Sequence, residues 1–148
     1  MAFRDKLKAI LQINDTPHHI AMSFALGVFW GMSPLLGIHT LGAFFTAWLL
    51  RLNRFVAVVG VFVTNPWTFV PIYSFSLLVG AKLTGTKQIL PEIDWNNITL
   101  VDLMGKLSHL LLPFIIGSFA VGTVSAVISY FIIYKAAIKY RKIKHYDE

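Results

Sequence analysis

The sequence predicts an all-α integral membrane protein: a helical bundle with two broken or re-entrant apolar segments, one C-terminal transmembrane helix and interfacial amphipathic helices. Hydrophobic residues make up 56% of the 148 residues and charged residues only 14%, whereas soluble proteins average about 25% charged. The stretches 20–50, 55–81 and 111–134 contain no Asp, Glu, Lys or Arg. So small a globule could not bury that much apolar surface, so we expect lipid to cover it.

The charge distribution favours a membrane protein over a nucleic-acid-binding one. The net charge is +6, and five of the 13 basic residues follow position 134 directly. Basic residues after an apolar helix mark its cytoplasmic side. We therefore predict a multi-pass protein of the cell inner membrane with both termini in the cytoplasm, and no nucleic-acid partner.

Enzyme chemistry is poorly supported by the residue types present. The chain has no cysteine, and no Asp or Glu falls inside the apolar stretches. Neither a Ser-His-Asp set nor a phosphate-binding loop is recognisable, and His18-His19 lack a third ligand at metal-binding spacing. We predict that the protein is not an enzyme and that it uses no cofactor or metal.

Residues 1–16 form a predicted interfacial basic helix. Phe3, Leu7, Ile10 and Leu11 share one face, and basic residues lie towards the other, as in helices that rest on an anionic membrane surface. A frayed terminus is the alternative. Asp15-Thr16-Pro17 then supplies a capping side chain and a proline in the first helical turn.

Residues 17–51 are predicted to form a broken helix pair. As one helix, 20–50 would extend roughly 46 Å, too long for a straight crossing of a core of about 30 Å. We place the break at Ser33-Pro34, with one helix ending near Met32 and a second capped by Ser33 and beginning at Pro34. Gly27 and Gly31 form a small-residue motif that lets another helix approach closely.

Residues 54–82 are predicted to form a second broken pair, interrupted at Asn65-Pro66. Interrupted hydrophobic segments in corresponding positions are typical of transporter binding sites. The segments either span or re-enter the membrane. We favour 18–50 entering and returning, 55–81 crossing out and 112–134 crossing back.

The remaining chain divides into a hydrophilic segment, 83–111, and a transmembrane helix with a basic cytoplasmic extension, 112–148. The hydrophilic segment contains an amphipathic helix that Thr99 and Asp102 cap as a box. Pro113 either begins the last helix or kinks one that began at Thr99. Ser118, Gly122 and Ala126 make a small-residue stripe for helix packing.

Several short motifs together resemble the prokaryotic integral membrane family known as "domain of unknown function 2062". The likeness covers about residues 15–135. Some relatives in this family are joined to glycosyltransferase-type domains, so the resemblance implies work near lipid-linked sugars but no established activity. The motifs are Pro17-x-x-Ile20-Ala21, Ala25-x-Gly27-x-Phe29-x-Gly31-x-x-Pro34, Arg51-Leu52-Asn53 and Asn65-Pro66-x-Thr68-x-x-Pro71.

The candidate binding site lies at the two breaks, since a half-helix that begins inside a membrane points free N–H groups at whatever lies in front. Alternatively, the caps satisfy one another within a tight bundle. An ionisable group inside a membrane is a further candidate, although His39 could equally be a neutral, hydrogen-bonded residue. The candidate substrate-binding residues are Ser33, Pro34, His39, Thr64, Asn65, Pro66 and Thr68.

A second candidate site is the short basic connector between the broken pairs. Arg51, Asn53 and Arg54 could guard a cytoplasmic mouth or hold a lipid phosphate as paired forks; charge that sets topology is the simpler alternative. The leading hypothesis is therefore a small transporter, channel or lipid-translocating protein, in contact with anionic headgroups and forming a homo-oligomer. The rival hypothesis is a non-transporting scaffold that anchors a membrane enzyme through its Gly27/Gly31 or Ser118/Gly122 faces.

Overall fold

The computed structural model describes residues 3–35, 37–87 and 94–146, with the side chains of Phe3 and Pro66 outside the description. Residues 88–93 of the predicted hydrophilic segment therefore lie outside it, as do both extreme termini and Leu36. All regular elements of the described ranges are helices. They are α1 (Phe3–Leu11), α2 (Pro17–Met32), α3 (His39–Leu49), α4 (Arg54–Val61), α5 (Pro66–Thr84), α6 (Leu100–Ser108) and α7 (Leu111–Tyr146).

Three predicted helix starts are confirmed by their caps. The Thr16 hydroxyl accepts a hydrogen bond from the His19 N–H, and α2 begins with Pro17. Asn65 caps α5 and Thr99 caps α6, each in a reciprocal box with the residue three positions later. These side chains satisfy N–H groups that the first turn of a helix leaves without intrahelical partners.

The prediction that Ser33 caps a helix beginning at Pro34 is wrong. Ser33 instead ends α2: its hydroxyl donates to the Trp30 carbonyl at 2.7 Å, and α3 begins only at His39. The residue before a proline is pushed out of the helical region, and Ser33 is extended with φ −67° and ψ 154°. The chain then turns through Gly37, whose φ of 87° suits glycine.

Pro113 lies in the first turn of α7, two residues after the helix begins, so it neither starts α7 nor kinks a helix that runs from Thr99. Its missing N–H has no cost there, because the first turn has no carbonyl for that group to reach. The amphipathic helix α6 ends separately at Ser108.

Two close helix crossings hold the bundle together. A Cβ on Gly27 of α2 would overlap the Ala57 carbonyl of α4 and lie 2.9 Å from the Gly60 Cα. The second crossing joins α5 to α7, where a Cβ on Gly80 would overlap the Pro113 carbonyl and lie 3.0 Å from the Gly117 nitrogen. Only glycine permits backbones to approach this closely.

Part of the apolar face of α1 packs against the core of the bundle. Ile10 is fully buried in the core cluster with Ile20 and Val56, and Leu7 packs against that cluster. The Lys6 ammonium lies 4.1 Å from the centroid of the Phe62 ring at the end of α4. Ile10 and Leu7 of the predicted apolar face therefore contact the bundle, and the interpretation of α1 as an interfacial basic helix stays a prediction.

Outside the core, the bundle presents an extensive apolar surface. By length and composition, one helix of the described ranges could span a membrane: Leu111–Tyr146, whose most apolar 18-residue window has a mean hydropathy of 2.1 and is only 22% buried. A core helix of a soluble protein would be mostly buried. The exposed large hydrophobic residues of α7 are Leu111, Leu112, Ile116, Phe119, Val124, Val127, Ile128, Phe131, Ile132, Ile143 and Tyr146.

Candidate functional site

The two interruptions that the sequence places 32 residues apart come together at the end of α2. The Tyr73 hydroxyl of α5 donates to the Ser33 carbonyl at 2.9 Å. A Cβ on Gly31 would lie 3.2 Å from the Thr64 Oγ1, so the second break packs directly against the last turn of α2. We call this group (Ser33, Thr64, Asn65, Thr68 and Tyr73) the break cluster.

Most hydrogen-bonding groups of the break cluster are used within the chain. The Asn65 Oδ1 accepts from the backbone N–H groups of Trp67 and Thr68 at 3.0 and 3.1 Å. The Thr68 hydroxyl donates to the Val63 carbonyl at 3.0 Å. The helix start that could have faced an anion is therefore covered by its own cap. The first break offers no helix start at Pro34, a half-buried residue in the turn.

Two polar atoms near the breaks are buried without a hydrogen-bond partner in the described part of the chain. They are the Thr64 Oγ1 and the Nδ1 of His39, the first residue of α3. Burying an unpaired polar atom costs about 1–3 kcal/mol. A polar group of a ligand, or water, would remove that cost if it reached them, so these are the atoms of the predicted site whose hydrogen-bonding capacity is unused. The Ser118 Oγ of α7 is in the same condition.

The basic connector lies at the other end of α2, about 21 Å away along the helix axis from His19 to Ser33. His19 hydrogen-bonds the Arg51 carbonyl through Nε2 at 2.8 Å and the Asp15 carboxylate through Nδ1. The Ser23 hydroxyl accepts from the Asn53 N–H at 2.9 Å. The first turns of α2 thus fix the connector in place.

Sequence reasoning missed this anchoring role of Asp15, His19 and Ser23. Their spacing of four residues puts them on one face at the start of α2, which was the available signal. Asn53 was predicted, with the two arginines, to line a cytoplasmic mouth or to hold a lipid phosphate; its side-chain oxygen accepts from the Val56 N–H at 3.2 Å and caps α4. The pKa of His19 is raised by the hydrogen bonds from its ring to the Asp15 carboxylate and to the Arg51 carbonyl, because both acceptors favour the protonated ring.

The two arginines line a cleft at the connector. Arg51 has φ 57°, uncommon for a residue other than glycine, and the Arg54 guanidinium lies 5.6 Å from the Phe44 ring centroid. Neither Arg51 nor Arg54 forms an ion pair with a carboxylate among the described residues. We call this cavity of about 500 Å³ the arginine cleft; it is lined by Trp48, Leu49, Arg51, Leu52 and Arg54.

An apolar groove of about 480 Å³ begins beside the arginine cleft. Leu52 lines both cavities. From there the groove runs between α2, where Met22 and Phe29 line it, and α7, where Ala126 and Phe131 line it. A charged cleft and an apolar groove therefore meet at one leucine.

The small residues predicted for helix packing are mostly occupied by the chain itself. Gly27 and Gly31 face α4 and the second break, and Gly122 faces Phe29 and Met32 of α2. Ser118 is fully buried. Ala126 is half-buried and lines the apolar groove. The faces on which the scaffold hypothesis relied are therefore not free for a partner.

A family model described as an uncharacterized protein conserved in bacteria, DUF2062, matches residues 1–145. The chain belongs to this family. The resemblance inferred from the motifs is thus confirmed at the level of the family. The match begins before residue 15 and ends after residue 135, so it is longer than the region in which the likeness was recognised. No curated protein and no solved structure matches the chain.

Proposed function

We propose that the chain is a small multi-pass protein of the inner membrane that translocates an anionic amphipathic lipid. Of the transporter, channel and lipid-translocating hypotheses, the last fits the cavities best. The observation that carries it is the placement of polar groups at two levels of one apolar bundle. The arginine cleft lies at one end of α2 and the break cluster about 21 Å away at the other.

The separation of these two sites suits movement across much of a bilayer. The hydrocarbon core is about 30 Å thick, so a headgroup that travels from the cleft to the break cluster crosses most of it. An ionisable residue inside a membrane protein is by default a candidate for a substrate pathway, and His39 is one. The Nδ1 of His39 and the Oγ1 of Thr64 are buried without a hydrogen-bond partner among the described residues, and they would receive the headgroup at the far level.

The exterior of the bundle supports the same proposal. Large apolar side chains are exposed on α3 and α5 as well as on α7, among them Phe45, Trp48, Val70 and Leu78. Soluble monomers rarely expose large apolar surfaces, whereas large hydrophobic side chains are exposed on all three of these helices. Lipid would cover them, with both termini on the cytoplasmic side where basic residues concentrate. A homo-oligomer and a membrane enzyme partner are further predictions that this mechanism does not require.

The test is a transfer assay in vesicles that hold the purified full-length chain and a fluorescent anionic lipid. We expect transfer between leaflets well above that of protein-free vesicles. Thr64→Val, which keeps the shape of the side chain and removes the hydroxyl, should lower the rate of lipid transfer by about tenfold. Gly105→Ala is the control, because a Cβ there meets nothing within 4 Å. Transfer no faster than in empty vesicles, or a faster flux of ions than of lipid, would overturn the proposal.

A further inference from the structure

We propose that the arginine cleft binds the phosphate of an anionic phospholipid while one of its acyl chains lies in the adjoining apolar groove. This inference names the class of lipid that is translocated and the site at which it binds. The role of the site in translocation rests on the function proposed above, but the binding itself does not.

The cleft provides the positive charge that a phosphate needs. Arg51 and Arg54 lie three residues apart and line one cavity. Guanidinium groups form paired hydrogen bonds with phosphate oxygens. No carboxylate among the described residues neutralises either group, so a phosphate would not have to displace an internal partner.

The backbone of the connector is held in the conformation that lines the cleft. His19 binds the Arg51 carbonyl at 2.8 Å, and Ser23 binds the Asn53 N–H at 2.9 Å. These contacts hold Arg51 at its positive φ of 57°. A site whose conformation is set before binding loses less entropy when the ligand arrives.

The groove decides between a lipid and a free phosphate. It starts at Leu52 of the cleft and follows α2 from Met22 to Phe29, about 10 Å along the helix. A phosphate ion or a soluble sugar phosphate would leave this apolar wall uncovered. A phospholipid would fill the cleft with its headgroup and the groove with a chain, and Trp48, which is 60% exposed at the cleft, suits the headgroup level.

Lipid binding to the purified full-length chain tests the headgroup half of this inference. Detergent-solubilised protein is titrated with phosphatidylglycerol or with phosphatidylcholine, and bound lipid is counted by native mass spectrometry. We expect about tenfold tighter binding of phosphatidylglycerol, and loss of that preference in R51N/R54Q. Asn is chosen at position 51 because it tolerates a positive φ. The matched control, K142Q/K144Q, removes the same charge from the exposed end of α7 and should keep the preference.

Two further arms distinguish the lipid from other sources of phosphate. Ala126→Trp should fill the groove and weaken phosphatidylglycerol binding by about tenfold, whereas Val124→Trp, on an exposed part of α7, should not. Inorganic phosphate at millimolar concentration should fail to compete. Competition by inorganic phosphate, or equal losses in K142Q/K144Q and R51N/R54Q, would overturn the inference. Binding that persists while leaflet transfer is absent would defeat only the proposed translocation.

Discussion

The break cluster and the arginine cleft both interrupt apolar stretches, yet they use their polar groups differently. At the break cluster, Asn65 and Thr68 bond to their own helix start and to the Val63 carbonyl. At the cleft, the backbone carbonyl of Arg51 is hydrogen-bonded to His19. The side chains of Arg51 and Arg54 have no acidic partner among the described residues. A polar residue at a helix break is therefore a weaker sign of a ligand than a charge whose neighbours leave it unpaired.

The largest expected effect on stability concerns the crossing of α2 and α4 at Gly27, which lies between the arginine cleft and the break cluster. Gly27→Ala would push a Cβ into the Ala57 carbonyl of α4, and overpacking against backbone should lower the unfolding free energy by about 3 kcal/mol or more. Gly122→Ala is the matched control on α7, since its nearest neighbours would lie at 3.5 Å. Unfolding in detergent measures both. Equal stability of the two variants would mean that the close approach of α2 and α4 at Gly27 does not stabilise the fold.

A smaller effect should follow when the break cluster loses its tertiary hydrogen bond. Tyr73→Phe leaves the Ser33 carbonyl without the 2.9 Å bond from the hydroxyl and should destabilise the fold by about 1–2 kcal/mol. Phospholipid binding at the cleft should stay unchanged, because the cleft lies at the other end of α2. Reduced lipid binding with normal stability would show that the break cluster contributes to binding at the arginine cleft.

The two asparagine caps offer a direct comparison between the ends. Asn65→Ala and Asn53→Ala each remove a cap, and each should cost about 1 kcal/mol of unfolding free energy. Asp, which also caps well, should restore stability at both positions. Only the Asn53 variant should weaken lipid binding, because only that cap begins the helix on which Arg54 lies. A loss of lipid binding in the Asn65 variant alone would indicate that the lipid binds at the break cluster and not at the arginine cleft.

The smallest effect is a pH dependence confined to the cleft. The pKa of His19 is raised by its hydrogen bonds to Asp15 and to the Arg51 carbonyl. The protonated ring therefore contributes stability that is fully present below its ordinary pKa of about 6.5 and is lost as pH rises through the raised value. Thermal unfolding of the wild type should show this decline, and His19→Gln should flatten it. An identical pH profile in the variant would exclude His19 as the anchor.

The sequence is most informative where one local rule decides the structure. The starts of α2, α5 and α6 follow from capping residues and prolines that act within four positions. The start of α3 was misplaced because Ser33-Pro34 carries the same local signal as a cap, although Ser33 in fact bonds backwards to Trp30. Local pattern alone does not say in which direction a hydroxyl will bond.

Long-range packing accounts for the rest. The spacing of Gly27 and Gly31 predicts a close helix neighbour, but not that Gly60 of the same chain supplies it. Likewise, Arg51 and Arg54 were candidates from charge alone, while the groove beside them needs α7 to fold back along α2. Of the candidate site, residue types were predictable; which groups stay unpaired was not, because that depends on contacts between distant segments.

The hydrogen bond from the Arg141 guanidinium to the Ile13 carbonyl, at 3.4 Å, ties the last part of α7 to the segment that leads into α2. Positions more than a hundred residues apart in the chain are thereby brought to the same face of the molecule. A domain fused to the C-terminal side of α7 would therefore be attached to a helix end that is itself bonded to the segment leading into α2.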